Sequence, residues 1–167
     1  STSRGLGDVY KRQGDKIALM MPNLLQYPVA LFGALKAGLT IVNTNPLYTP
    51  REMEHQFTDS NVKAIVIAEN FAINLQQVIK KTEINIVLTA SIGGMLGAIK
   101  GRLTNFVVRK IKRMVPTYNI PNTVTVKDAI KQGSKFTLTD VESRGEDVIV
   151  HQYTGGTTGV AKGAMLT

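Results

Sequence analysis

The chain has 167 residues, 43% of them hydrophobic, and carries 20 Lys and Arg against 12 Asp and Glu, a formal charge of +8. That hydrophobic content suits one globular domain with a sizeable core and excludes a disordered chain. With no cysteine there is no disulfide, no thiolate nucleophile and no zinc–cysteine site, and a reducing compartment fits.

At the start, Asp8-Val9-Tyr10-Lys11-Arg12-Gln13 can be back-translated to a DNA sequence that resembles the transposase end used in preparing sequencing libraries. Residues 1–13 are therefore expected to be adaptor-derived and non-native; the alternative is a genuine polar arm. The segment holds three basic residues and one acid, so without it the charge falls from +8 to +6. No charged stretch leads into an apolar run with a small-residue cleavage site, so no signal peptide is expected. Ile17 to Leu35 is uncharged for nineteen residues, long enough to imitate a membrane span. Pro22, Asn23, Gln26 and Pro28 divide it into a strand and a separate buried helix.

Lys16 to Met21 reads as a central strand closed by Pro22-Asn23. Asn23 is placed to cap the helix that follows, with Leu25, Val29, Phe32 and Leu35 on one face and Ala30, Leu31 and Ala34 keeping the rest apolar. A helix apolar nearly all round is expected to be buried. Gly38 ends it in the left-handed conformation. Leu39 to Val42 is a second strand, and Thr49-Pro50-Arg51-Glu52 is a helix start: a capping hydroxyl, proline in the first turn and glutamate three residues after the cap. Met53 and Phe57 give that helix a core face, and Asn45-Pro46-Leu47-Tyr48 before it is expected to be structural. Val62 to Ala68 is a third strand, Phe71, Leu75, Val78 and Ile79 mark a helix, and Ile84 to Leu88 is a fourth strand. Strands alternating with helices predict βαβ units and a mostly parallel sheet, whose ligands bind beyond the carboxyl ends of the strands.

Ser91 to Tyr118 breaks the alternation. Leu96, Ile99, Leu103, Phe106, Val107, Ile111 and Met114 recur at helical spacing. Lys100, Arg102, Arg109, Lys110, Lys112 and Arg113 add six positive charges with no acid among them. Unbroken from Met95 to Val115, the helix would be roughly 30 Å long. Central Lys or Arg costs about 2.5 to 3.5 kcal/mol each on insertion scales, so the helix is not expected to span a bilayer. Lying on an anionic surface is one expectation, with those six residues as candidate membrane contacts; a packed helix with a solvated basic face is the other. Nucleic acid is not expected, because no stacking aromatics or nucleic-acid motif accompany the charge.

Pro116 to Thr123 is a connector, a short helix is expected within Val124 to Gln132, and residues 133–145 read as polar loop. His55 is expected on a helix surface, and His151, in the strand Val148 to Tyr153, as a structural histidine rather than a base. That strand feeds Tyr153-Thr154-Gly155-Gly156-Thr157-Thr158-Gly159-Val160-Ala161-Lys162-Gly163. Glycines let backbone N–H groups converge on anionic oxygens, threonine hydroxyls add donors, and Lys162 supplies a mobile charge, which together suit a polyphosphate. The order is not that of a Walker A loop, because the lysine precedes its glycine. A flexible surface turn is the alternative.

YTGGTTGVAKG resembles the phosphate-binding signature of the adenylate-forming, or AMP-binding, superfamily. MPNLLQYPVALFGALKAG, NTNPLYTPREMEHQFTDS and NFVVRKIKRMVPTYNIPN narrow the resemblance to bacterial long-chain fatty acid–CoA ligases, from about Gly14 to Thr167. The resemblance implies an α/β fold, with residues 14–167 the N-terminal portion of a truncated AMP-binding domain. It implies that Thr154, Gly155, Gly156, Thr157, Thr158, Gly159 and Lys162 hold the β- and γ-phosphates of ATP, while Tyr153 packs. Many superfamily members have proline where this chain has Ala161; alanine is common in the long-chain branch.

The implied reaction joins a long-chain fatty acid to coenzyme A through an acyl-adenylate, with ATP and Mg²⁺. The magnesium-binding glutamate and the catalytic lysine of the small domain would lie beyond Thr167, so no catalytic or metal-binding residue is expected within the chain, which alone is expected to be inactive with some apolar surface uncovered. The implied location is cytoplasmic, with the inner-membrane surface as a peripheral partner. The alternatives are a ligase of another carboxylic acid, and a noncatalytic basic membrane-associated domain.

Overall fold

The computed structural model describes residues 14–138, 141, 144–154 and 162–167, with residues 154 and 162 described through their backbone. Residues 1–13 lie outside the described residues. The strands are β1 (Lys16–Met20), β2 (Thr40–Asn43), β3 (Ala64–Ala68), β4 (Ile86–Ala90), β5 (Val124–Thr125), β6 (Val150–Thr154) and β7 (Lys162–Leu166). They form one seven-stranded sheet in the order β5-β4-β3-β1-β2-β6-β7. Every neighbouring pair is parallel except β6 with β7. The expected mostly parallel α/β sheet is thus the observed one.

Burial explains why β1 and β3 lie in the middle. Both are unbroken apolar runs, and in a parallel sheet covered on both faces each side chain meets a core whichever way it points. Ala18, Met20, Val42, Ile65 and Ile67 face one core, which Met53 and Phe57 of α2 (Pro50–Ser60) and Leu75 of α3 (Ala72–Val78) complete. Ile17, Leu19, Ile41, Ala64 and Val66 face the other, against Ala34 of α1 (Gln26–Lys36). Neighbouring residues of one strand go to opposite cores, the period of two that a strand imposes.

The capping box before α2 is present. Glu52 N–H donates to Thr49 Oγ1, Thr49 N–H donates to Glu52 Oε2 at 2.8 Å, and Pro50 is the first helical residue. The Thr49 hydroxyl, donating to Glu52 Oε2 at 2.7 Å, and next the Thr49 N–H hold the Glu52 carboxyl below its ordinary pKa. Asn61, at φ 54°, closes the helix in the left-handed conformation. Gly38 does the same after α1 at φ +73°, where a Cβ would stand 2.8 Å from Val141 Cγ1.

Expectations for two of the helices are corrected. In α1 the cap is Leu25 and makes no side-chain hydrogen bond, so Asn23 does not cap, and Pro28 sits in the first turn, where it breaks nothing. Leu25, Val29 and Phe32 are exposed, whereas Gln26 and Ala34 are buried. A helix apolar all round carries no pattern that says which side packs, and here the small Ala30 and Ala34 side lies toward the sheet. The basic helix is also shorter than expected. It comprises α4 (Ala98–Phe106) and a π-helical turn, Val107–Ile111. At about 1.5 Å per residue the two make about 21 Å rather than 30 Å.

Glycine explains the late start of α4. Gly97 caps it at φ +84°, and Gly101 lies backbone to backbone against Gly93, where a Cβ on Gly101 would stand 2.3 Å from the Gly93 carbonyl oxygen. Arg109, in the π turn, makes a two-pronged pair with the buried carboxylate of Glu69, its Nε donating to Oε1 at 3.1 Å and its Nη2 to Oε2. Further on, Thr125 caps α5 (Val126–Gly133), accepting from Asp128 N–H at 3.1 Å. Strands β5 and β7 were not anticipated; the first has only two residues.

Because Gly101 has no room for a methyl group against backbone, Gly101→Ala is expected to cost about 1–3 kcal/mol of stability. Urea unfolding of the full-length gene product measures it, and an unchanged midpoint would contradict the close approach.

Candidate functional site

The glycine- and threonine-rich loop grows out of the hairpin formed by β6 and β7, at the carboxyl end of β6. Thr154 and Lys162 are directly paired across the two strands, as are Tyr153 with Gly163 and Gln152 with Ala164. The backbones of the two outer candidate residues, Thr154 and Lys162, are thereby brought together at the base of the loop. Gly155, Gly156, Thr157, Thr158 and Gly159 lie outside the described residues.

Below the loop, side chains tie β6 to its surroundings. Asn43, the last residue of β2, donates from Nδ2 to Gln152 Oε1 at 2.9 Å and accepts at Oδ1 from the Tyr27 hydroxyl at 2.7 Å. Gln56 of α2, fully buried, donates from Nε2 to the Asn43 carbonyl oxygen at 2.9 Å. One residue further along β6, buried Tyr153 donates its hydroxyl to Asp59 Oδ2 at 2.5 Å. Successive residues of β6 point to opposite faces, so Gln152 is tied toward α1 and Tyr153 toward α2.

Tyr153 also accounts for Gly163. A Cβ there would stand 3.0 Å from the Tyr153 ring, so the glycine across the hairpin leaves the space the ring occupies. Burial, with the Asp59 carboxylate next in weight, pushes the Tyr153 phenol well above its ordinary pKa, so it remains a hydrogen-bond donor. The ring packs in the core formed with α2 and α3. His151, on the same face of β6, is half-buried, and desolvation lowers its pKa, Lys16 adding to the effect and Asp59 opposing it. His55 is exposed on α2.

A sheet of this order, with a glycine–threonine loop leaving a hairpin at its carboxyl end, can be compared with known proteins. Residues 3–167 match the family model described as AMP-binding enzyme. The chain belongs to the AMP-binding enzyme family. It is 52% identical, over 98% of its length, to the long-chain-fatty-acid–CoA ligase of Salmonella typhimurium strain LT2, and 54% identical over the same share to that of Escherichia coli O157:H7. It spans only 29% of the length of either relative. A crystal structure of a long-chain-fatty-acid–CoA ligase from Archaeoglobus fulgidus matches with a TM-score of 0.67 at 25% identity, over 93% of this chain and 25% of that one. The sheet is therefore that of an adenylate-forming enzyme domain, part of which this chain covers. These relatives are acid–thiol ligases.

Within this AMP-binding fold, sequence reasoning overlooked Tyr27, Asn43, Gln56, Asp59 and Gln152. A signal was available for two of them. Asn43 is a polar residue ending a strand whose earlier residues include Ile41 and Val42, and Gln152 is a polar residue within the strand that leads to the loop, toward the end of a parallel sheet where ligands bind. Among the six basic candidates, Arg109 is engaged by Glu69, while Lys100, Arg102, Lys110, Lys112 and Arg113 are exposed. Among the described residues no group of His, Cys, Asp and Glu is placed to hold a metal ion, and no helix is long and apolar enough to cross a membrane.

Two measurements on the full-length protein follow from this geometry. Tyr153→Phe removes a hydrogen bond to a carboxylate and is expected to cost about 1.5–3 kcal/mol of stability; no loss would mean that the bond to Asp59 contributes nothing. For His151 the folded pKa lies below the unfolded one, so its neutral form is free of penalty above about pH 6.5 and stability is lost as pH falls through the folded value. His151→Gln is expected to flatten the decline in thermal midpoint between about pH 7 and pH 5. Parallel declines in the two proteins would refute that account.

Proposed function

We propose that this chain is the N-terminal portion of an ATP-dependent long-chain fatty acid–CoA ligase, and that the loop from Thr154 to Lys162 holds the β- and γ-phosphates of ATP. The observation that carries the proposal is the hairpin. Its pairing of Thr154 with Lys162 sets a glycine–threonine loop at the carboxyl end of a parallel sheet, in a chain of the AMP-binding family. Family relatives about half identical to it are named long-chain-fatty-acid–CoA ligases.

The chemistry follows from the substrates. A carboxylate is a poor target for a thiol because the leaving oxide is too basic. One carboxylate oxygen attacks the α-phosphorus of ATP, the bond to the bridging oxygen breaks, and pyrophosphate leaves with its electrons. The coenzyme A thiol then displaces AMP from the acyl carbon and gives up its proton. Backbone N–H groups of Gly155, Gly156 and Gly159 and the hydroxyls of Thr154, Thr157 and Thr158 donate to the departing pyrophosphate, and Lys162 balances its charge. Mg²⁺ bound with the nucleotide would neutralise part of the same charge. Gln152 and Tyr153 hold the root of the loop still while charge moves.

Peripheral contact with the inner-membrane surface forms part of this proposal, because the acyl substrate partitions into lipid and the stretch from Ser91 to Tyr118 carries cations without an acid. The chain by itself is proposed to be inactive.

Palmitate-dependent ATP–pyrophosphate exchange by the full-length gene product tests the ligase assignment. Replacing Thr157, Thr158 and Lys162 together with alanine is expected to reduce exchange by at least about 10²-fold, the effect of losing preorganised donors to developing charge. Full exchange in that variant would end the phosphate-binding role. A folded full-length protein without exchange on acids of any chain length would reject the ligase, and exchange confined to aryl or short acids would move it to another substrate class.

A further inference from the structure

We propose that the outward face of α4 is a lipid-insertion face, on which the full-length protein docks to an anionic bilayer. The inference rests on the membrane part of the function proposed above and gives it a surface and an orientation.

Ile99, Leu103 and Phe106 are 84%, 63% and 56% exposed. At about 100° per residue they fall within about 60° of arc, and Gly101, buried against Gly93, lies about half a turn away. The apolar stripe is thus the side of α4 opposite its packing side. Lys100 and Arg102 flank the stripe, and Lys110, Lys112 and Arg113 continue the positive charge beyond it. Since no acid lies between Ser91 and Tyr118, the surface that covers this face has to supply the negative charge. Apolar residues between cations fit a surface that is apolar inside and anionic outside, which is what acidic phospholipid headgroups over acyl chains present.

Two anchors fix the face in place. Arg109 holds Glu69, which directly follows β3, and Asn70 Nδ2 donates to the Met114 carbonyl oxygen at 2.9 Å. Arg109 is therefore a positioning residue for the helix and is left out of the lipid contact. Because Ser91 and Glu69 follow the carboxyl ends of β4 and β3, α4 is fastened at the end of the sheet where the candidate loop lies, but near the opposite edge. From β4 to β7 there are five strand spacings of about 4.8 Å, about 24 Å in all. A bilayer against α4 thus meets the ligand-binding end of the sheet near the edge opposite the β6–β7 hairpin, so that an acyl chain can arrive from lipid.

The test uses the full-length protein with phosphatidylcholine vesicles, with and without phosphatidylglycerol. The wild type is expected to co-sediment with the phosphatidylglycerol vesicles in a salt-sensitive way. The triple variant Ile99→Ser, Leu103→Ser, Phe106→Ser and the pair Lys110→Glu, Lys112→Glu are each expected to bind at least about tenfold more weakly. Both should retain ATP–pyrophosphate exchange on a short, water-soluble acid. As a second measurement, a single cysteine from Phe106→Cys is expected to react with a polarity-sensitive dye in solution, and the dye emission to shift to the blue with anionic vesicles. A cysteine at 106 inaccessible in the folded protein would mean that its own chain covers the face, and would overturn the inference. Equal binding to both vesicle types, binding to DNA but not to vesicles, or wild-type binding by the triple variant would also overturn it. Loss of exchange in the wild type would count against the ligase alone, leaving the vesicle result to stand on its own.

Discussion

Among the described residues, the hairpin that carries the loop is joined to the rest of the sheet through β2 alone. Among the described residues β7 pairs only with β6, and β6 meets the interior of the sheet through three register pairs, Ile41 with Val150, Val42 with His151 and Asn43 with Gln152. A short ladder of this kind at a sheet edge would by itself leave the end of β6 free to splay. Two side-chain ties act just where the ladder stops. Asn43 holds Gln152 from the neighbouring strand, and Asp59 holds Tyr153 from the helix beneath. The two ties hold the end of the β6 ladder, next to Thr154, in place.

They are also linked to each other. Asn43 accepts from Tyr27 of α1, and its backbone carbonyl accepts from Gln56 of α2, so helices on opposite faces of the sheet converge on one residue at the end of β2. Asp59 lies one turn beyond Gln56 on α2, and α2 is itself started by the Thr49–Glu52 capping box and seated by Met53 and Phe57. The chain of dependence thus runs from a four-residue helix start, through a buried helix, to the root of the loop. Electrostatic stabilisation of developing charge needs donors already in position, since donors that must reorganise lose much of their effect. In the phosphate-binding role proposed for the loop, a well-anchored root contributes to that condition.

How much of this was legible depended on how many physical demands each residue met. β1 and β3 were visible because burial on both faces makes a parallel strand a continuous apolar run, and α2 because its cap is spelled out by Thr49, Pro50 and Glu52. Gly38 marked its turn because only a residue without Cβ suits φ +73° beside Val141. The packing side of α1 was not legible, since an all-apolar helix satisfies either orientation. The length of the basic helix was overestimated because the contact between Gly93 and Gly101 is set by the fold and leaves no periodic trace. The loop carries a resemblance to a known signature, and its residues 155–161 lie outside the described residues. The ties beneath it were not legible, because the pairings of Asn43 with Gln152 and Tyr153 with Asp59 span about a hundred residues of chain and exist only once the sheet is formed.

Among the described residues α1 and α4 each present three apolar side chains to the outside, and their chemistry differs. On α1 the outward residues Leu25, Val29 and Phe32 belong to a helix whose only charge is Lys36, at its last position. Such a face is suited to another apolar protein surface, where a cation would lose hydration without gaining a partner. On α4 the outward residues are accompanied by Lys100 and Arg102, with Lys110, Lys112 and Arg113 following. Burying those cations under an apolar protein layer would carry that same penalty several times over. Against anionic headgroups each keeps its water or gains a phosphate, and the apolar stripe alone leaves solvent. Exposed apolar area does not distinguish a face awaiting protein from one awaiting lipid. The charge beside it does, and by that criterion the two helices face different surroundings.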